Sequence, residues 1–265
     1  MVLSDEEAAA EQWHCPARAA TWVSWASAVE GFAPRARSVF ARYGALPAIF
    51  GLELRTAYAV LQDHAPVSDA DNAYWREKTA FLYRRPAVEP IMLSFWKRHR
   101  DRRLDAMSAV QIATLLTGRS LGFRHTGAVG RSARGSVRFE PVEVARTWLP
   151  SIQDLQLKAP MISDWPVYVY ARTIMAHPLE DGNGRIARLL FAATLAAQLR
   201  LERPCIAFSP SFYRYAEGLS DAITTLSRTG DWLPVTTMLR VVVEDALTLT
   251  LLSSPFAAGG RKPDG

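Results

Sequence analysis

Two apolar stretches with helical spacing, separated by a short polar turn rich in glycine, restrict this chain more than any other feature. "WPVYVYARTIMAH" runs into "PLEDGNG", and "RIARLLFAATLAAQL" runs out of it. Neither flank shows the strict alternation of a half-buried strand. The pair predicts a helical hairpin, with Ile186, Leu189, Leu190, Ala193 and Ala197 lining the buried face of its second helix.

Apolar residues recur at helical spacing through most of the remaining chain, so the predicted fold is mainly α. Helical text runs from Glu6 through Glu30, with Trp13, Trp22 and Trp25 as core candidates. Gly31 and Pro34 then read as punctuation before "GALPAIFGLELRTAYAVLQDH" resumes the pattern. A proline-containing break between Arg85 and Pro90 precedes helical residues from Ile91 to Thr117. After Pro141, the set Val142, Ala145, Trp148, Leu149 and Ile152 marks another helix, with Pro150 as a local distortion. "AVGRSARGSVRFEP" departs from all this: Gly130 and Gly135, then Val137 and Phe139 alternating with polar residues, predict a small β-hairpin. The expected organisation is an N-terminal helical segment, 1–93, a core, 94–252, and a disordered tail, 253–265.

Composition removes several classes. With 265 residues, 49% of them hydrophobic and 22% charged, the chain can bury a core and does not read as disordered. The formal charge of +5 comes from scattered arginines, so "WKRHRDRRLD" reads as a solvated surface rather than a nucleic-acid patch. Cys15 and Cys205 are far apart and belong to no CxxC pair, which argues against a disulfide framework or a zinc site. Acidic residues in "MVLSDEEAAAEQW" oppose a signal peptide, and no apolar run spans a bilayer. A soluble cytoplasmic protein is expected, with a secreted effector left open.

The turn itself carries chemistry. "DGNG" between two helices leaves backbone N–H groups at a helix N-terminus, where glycine lets an anion approach closely and the helix end adds partial positive charge. Arg185 and Arg188, three apart, share the adjoining face and offer two forks for phosphate oxygens. Asp181 can hold a divalent cation against a polyphosphate. His177, at the end of the preceding helix, has the proton affinity to accept a proton from an attacking hydroxyl near neutral pH. Base, cation ligand and anion hole together describe nucleotidyl or phosphoryl transfer.

From His177 to Arg188 the text resembles the Fic family, whose signature is HxFx(D/E)GNGRxxR. The resemblance implies a Fic-type helical core with a β-hairpin flap, in which the histidine deprotonates a hydroxyl of a target protein and AMP passes to it from ATP. By that likeness His177 is the base and Asp181 the Mg²⁺ ligand; Gly182, Asn183 and Gly184 form the anion hole, and Arg185 and Arg188 clamp phosphates. Gly184 matches the AMP-transferring branch rather than the kinase-like branch, which has lysine there. Leu179 departs from the family's aromatic residue, implying a less rigid loop and weakened activity. A diffuse likeness covers roughly Ser94 to Leu252, with "GSVRFEP" where the flap docks the Ser, Thr or Tyr of a target by main-chain pairing.

"ASAVEG", Ala26 to Gly31, resembles the family's inhibitory pattern [ST]xxxE[GN], with Ala26 in place of the hydroxyl residue. That likeness implies that Glu30 pairs with Arg188; the alternatives are an exposed helix-terminal glutamate and inhibition by a separate antitoxin protein. "YAEGL" at Glu217 is a decoy, with Tyr213 at the hydroxyl position. Two other functions stay open: a relative that uses another nucleotide or removes AMP, and a catalytically weak module that only binds.

Overall fold

A computed structural model describes residues 21–43, 106–132, 135–158, 164–201 and 208–252. Among them are eight helices and one two-stranded antiparallel sheet. In chain order these are α1 (Thr21–Tyr43), α2 (Ala106–Thr117), β1 (Val129–Ser132), β2 (Gly135–Arg138), α3 (Val142–Lys158), α4 (Trp165–Ala176), α5 (Asn183–Gln198), α6 (Phe208–Arg214), α7 (Ala216–Thr229) and α8 (Leu233–Leu252). The mainly helical class and the single hairpin are as the sequence predicts.

The helical hairpin is α4 and α5, packed against each other at the centre. Every residue of α4 except Ile174 is buried, as suits a helix that is apolar on all sides. Pro166 sits in its first turn, where the missing N–H costs no intrahelical bond. α3 lies on one side of α4 and α8 on another, while α2 and α6 pack on α5. Phe191 of α5 is the hub: its ring meets Trp25, Tyr170, Phe208 and Phe212 edge-on at 5.4 to 6.2 Å. A second aromatic column stacks Trp165, Tyr168 and Trp232.

α7 buries Leu219, Ala222, Ile223 and Leu226 on one stripe and ends at Gly230, whose φ of 70° and N–H bond to the Leu226 carbonyl close the helix. It packs on both hairpin strands. In the hairpin Val129 pairs with Arg138 and Gly130 with Val137, and Val137 points into the core. Pro150 leaves α3 continuous.

Two expectations are corrected. Gly31 and Pro34 do not end the first helix; α1 runs through both, and its described residues begin at Thr21. Proline within a helix costs about 3 kcal/mol, but Trp25, Phe32 and Ala36 are buried on both sides of it, and burial of each large apolar chain returns about 1.5–3 kcal/mol. Pro34 itself lies on the exposed side. Ala197 is exposed, because the buried arc of α5 passes through Thr194, Leu195 and Ala196 to Leu199. The segment from Gly44 to Asp105, the start of the core at 94 and the tail at 253–265 lie outside the described residues. α1, from the N-terminal segment, joins the same core through Trp25 and through the Arg35–Glu244 ion pair to α8. No helix among the described residues is long and apolar enough to cross a membrane.

Candidate active site

The turn between α4 and α5 begins at His177, which caps α4 in the left-handed conformation, φ 46° and ψ 54°. This is costly for a residue with a Cβ and persists only where neighbours hold it. Arg124 is the neighbour that holds it. Its side chain is 4% exposed and donates to four carbonyls: Nε to His177 at 2.8 Å, Nη1 to Thr126 at 2.8 Å, and Nη2 to Glu140 at 2.6 Å and Ala176 at 3.1 Å. Burial lowers the proton affinity of this guanidinium, against the opposing pull of Glu143. One arginine thus ties the end of α4, the head of the turn and the foot of the hairpin.

The turn is fastened along its length. Arg124 N–H donates to the Pro178 carbonyl at 2.9 Å and Glu180 N–H to Gly122 at 3.1 Å, around a bridge between Phe123 and Leu179. Glu180 closes the loop by accepting the Gly122 N–H at 2.9 Å. Leu179 is fully buried, so the place of the family's aromatic residue is filled by a smaller apolar chain. Its backbone is gripped by Asn183, whose Oδ1 accepts the Leu179 N–H at 2.9 Å and whose Nδ2 donates to the Leu179 carbonyl at 2.8 Å. The Asn183 side chain, 2% exposed, therefore serves the loop; what it can offer a ligand is its backbone N–H.

Gly182 precedes α5 with φ 80°, and a Cβ on it would meet Thr117 Cγ2 at 3.3 Å and Ala113 Cβ at 3.5 Å on α2. Its carbonyl accepts from the N–H groups of Arg185 and Ile186, each at 3.0 Å. The N–H groups of Asn183 and Gly184, first in α5, have no intrahelical acceptor, and a helix start of this kind can receive an anion. Arg185 and Arg188 follow, both partly buried. Arg188 extends past Gly184, where a Cβ would lie 3.3 Å from Nη1, and its guanidinium sits 4.9 Å above the Tyr213 ring while donating to that hydroxyl at 3.2 Å.

His177 is half-buried, with Nδ1 buried and lacking a hydrogen bond of normal geometry. Burial lowers its proton affinity below the ordinary value; the Ile174 carbonyl opposes this, Arg124 adds to it, and Asp181 opposes it. The net shift is downward, the direction that favours the neutral ring. Its ring lies flat on that of Phe139, with centroids 4.0 Å apart and planes 13° apart.

Asp181 is exposed beside this ring, with Oδ1 accepting the Gly182 N–H at 2.6 Å and Oδ2 4.0 Å from Arg119. Among the described residues no group of three or more His, Cys, Asp or Glu is gathered as a metal cage. A lone exposed carboxylate next to an anion site fits magnesium, which commonly takes one or two protein carboxylates and completes its shell with phosphate oxygens and water. Glu30 is exposed on α1, and no ion pair joins it to Arg188 among the described contacts. Arg124, Phe139 and the grip of Asn183 have no sequence signal, because their partners are backbone groups or rings distant along the chain.

No protein-family model matches this chain, and no curated protein matches it either. Among solved structures, a Fic family protein from Desulfovibrio desulfuricans G20 is similar over 93% of this chain and 77% of its own, with a TM-score of 0.60 at 14% identity. A Fic domain containing signaling protein from Bacteroides thetaiotaomicron VPI-5482 aligns over 99% of this chain and all of its own, at 16% identity and a TM-score of 0.48. The chain has the fold of the Desulfovibrio Fic family protein. At that identity the likeness speaks of fold, and the chemistry must come from the residues at the turn.

Proposed function

We propose that this chain transfers AMP from ATP to a hydroxyl side chain of a target protein. The observation that carries the proposal is the convergence on one turn of a partly buried imidazole, two unpaired helix-start N–H groups, an exposed carboxylate and two arginines. Separately each has a structural use; together they suit a triphosphate and an incoming hydroxyl.

Nδ1 of His177 is buried, so Nε2 is the nitrogen that accepts the proton of the target hydroxyl. The freed oxygen bonds the α-phosphorus as the bond from that phosphorus to the bridging oxygen of the β-phosphate breaks. AMP is left on the target and pyrophosphate departs. The N–H groups of Asn183 and Gly184 receive charge developing on phosphate oxygens, in a site already organised by the loop bonds. Arg185 and Arg188 bind and orient the outer phosphates. Asp181 would hold magnesium, whose contribution is to neutralise the triphosphate's charge. The hairpin supplies a main-chain edge on which an extended target segment can lie next to His177.

Isotope position tests this reading. With lysate as a source of targets, label from the α-phosphate of ATP enters protein and label from the γ-phosphate does not, and His177→Ala abolishes the transfer. Label entering from the γ-phosphate would assign phosphoryl transfer instead.

A further inference from the structure

The hairpin and the histidine are joined by a contact that lies outside the turn. Phe139 directly follows β2, and its N–H donates to the Ala128 carbonyl at 3.1 Å, so the hairpin pairing continues through it and fixes where its side chain starts. The ring then lies face to face with the His177 imidazole. Its far end runs up to Gly130 of β1, where a Cβ would fall 2.8 Å from Phe139 Cζ and 3.5 Å from both Cε atoms. Any other residue at 130 would push the ring along or off the imidazole.

Something must set the plane of that imidazole. The χ2 torsion of histidine is broad, so the side chain does not choose its own ring orientation. The Ile174 carbonyl acts on the ring, but Nδ1 makes no hydrogen bond of normal geometry with it, so this contact sets the ring plane only loosely. Arg124 fixes the His177 backbone but bonds its carbonyl, not its ring. The flat face that meets the ring is Phe139.

We propose that Phe139 is a positioning residue for His177, setting the plane in which the imidazole presents Nε2, and that glycine at 130 leaves the room this requires. The proposal rests on His177 being the base. It makes the hairpin more than a docking edge: the element against which a target segment would lie also aims the group that deprotonates its hydroxyl. Disturbing the hairpin then disturbs proton transfer even when nucleotide binding is intact.

The test uses the full chain with Phe139→Leu, Phe139→Tyr and Gly130→Val. In proton NMR the His177 Cε1–H resonance, assigned by its loss in His177→Ala, is displaced upfield in the parent by the Phe139 ring current. It returns to an ordinary position in Phe139→Leu, stays displaced in Phe139→Tyr and moves in Gly130→Val. In kinetics with ATP, Phe139→Leu lowers kcat by about tenfold to a hundredfold, the range for a misplaced base, with KM for ATP unchanged. Phe139→Tyr recovers most of that loss. Should Phe139→Leu fail to fold, Gly130→Val carries the same two readouts. An unmoved resonance, or an unchanged kcat in Phe139→Leu, overturns the proposal. If His177→Ala also transferred AMP at the parent rate, the base reading itself would fail; if His177→Ala is inactive while Phe139→Leu is fully active, only the positioning role falls.

Discussion

Removal of Arg124 should damage the chain in a way that can be sized from its contacts. Arg124→Ala strips the donors from four carbonyls, and two of those bonds, to Glu140 and Ala176, are buried. A buried polar group left without a partner costs about 1–3 kcal/mol. The carbonyls of Thr126 and His177 are nearer solvent, where water replaces part of what is lost. Relief of the guanidinium's own burial offsets some of the total, leaving a net loss of about 2–4 kcal/mol. With a urea slope near 2 kcal/mol/M, the unfolding midpoint falls by about 1–2 M. Arg124→Lys keeps the charge but not the fork, so one ammonium cannot reach all four oxygens and about half the loss remains. The assay is urea denaturation of parent and both variants, followed by AMP transfer under conditions where each is folded. Transfer falls in both, because the left-handed backbone of His177 loses its tie. A loss below about 1 kcal/mol for Arg124→Ala, or parental behaviour of Arg124→Lys, would refute the reasoning, since either result means the carbonyls do not depend on the fork.

Further outcomes follow from neighbouring residues. Asn183→Ala leaves the N–H and carbonyl of Leu179 without their side-chain partners and destabilises the chain by about 2–4 kcal/mol by urea titration; parental stability would mean that the loop holds itself. Because burial lowers the proton affinity of His177, its ring stays neutral to lower pH than usual, so the acid limb of kcat/KM falls below the ordinary imidazole value of about 6.5 and activity is full above it. The same group stabilises the fold above that value and less as pH falls through its folded value, which an acid titration of the unfolding midpoint would follow. An acid limb above about 6.5 would contradict the assignment. Asp181→Ala removes the Mg²⁺ dependence of ATP binding in calorimetry, and equal dependence in variant and parent would show that another group holds the cation. With Glu30 exposed and Arg188 engaged by Tyr213, Glu30→Gln leaves the AMP-transfer rate close to that of the parent; a large rise would show an inhibitory role for Glu30.

What the sequence made legible is what short-range pattern encodes. Apolar period and the glycine turn placed α4 and α5, and alternation between Gly130 and Phe139 placed the hairpin. The continuation of α1 through Gly31 and Pro34 was hidden because local propensity opposes it and tertiary burial of Trp25, Phe32 and Ala36 prevails. At the site, the residues from His177 to Arg188 announce themselves by spacing, but their supports do not. Arg124 binds carbonyls at 126, 140, 176 and 177, and any residue type at those positions presents the same oxygen. Phe139 meets His177 and Tyr213 meets Arg188 only after the helices pack. Asn183 reads as part of an anion hole in the motif, yet its amide holds the loop from inside, a role visible only once Leu179 is seen buried beside it.

The central claim is that His177, at the head of this turn, moves a nucleotide onto protein. Intact-mass analysis of the protein and of candidate targets, after incubation with ATP and Mg²⁺, addresses it most directly. The account predicts a gain of one adenylyl group on a target or on the chain itself, absent with His177→Ala and absent when ATP is omitted. A gain of a single phosphoryl group, or an adenylyl gain undiminished in His177→Ala, would contradict it.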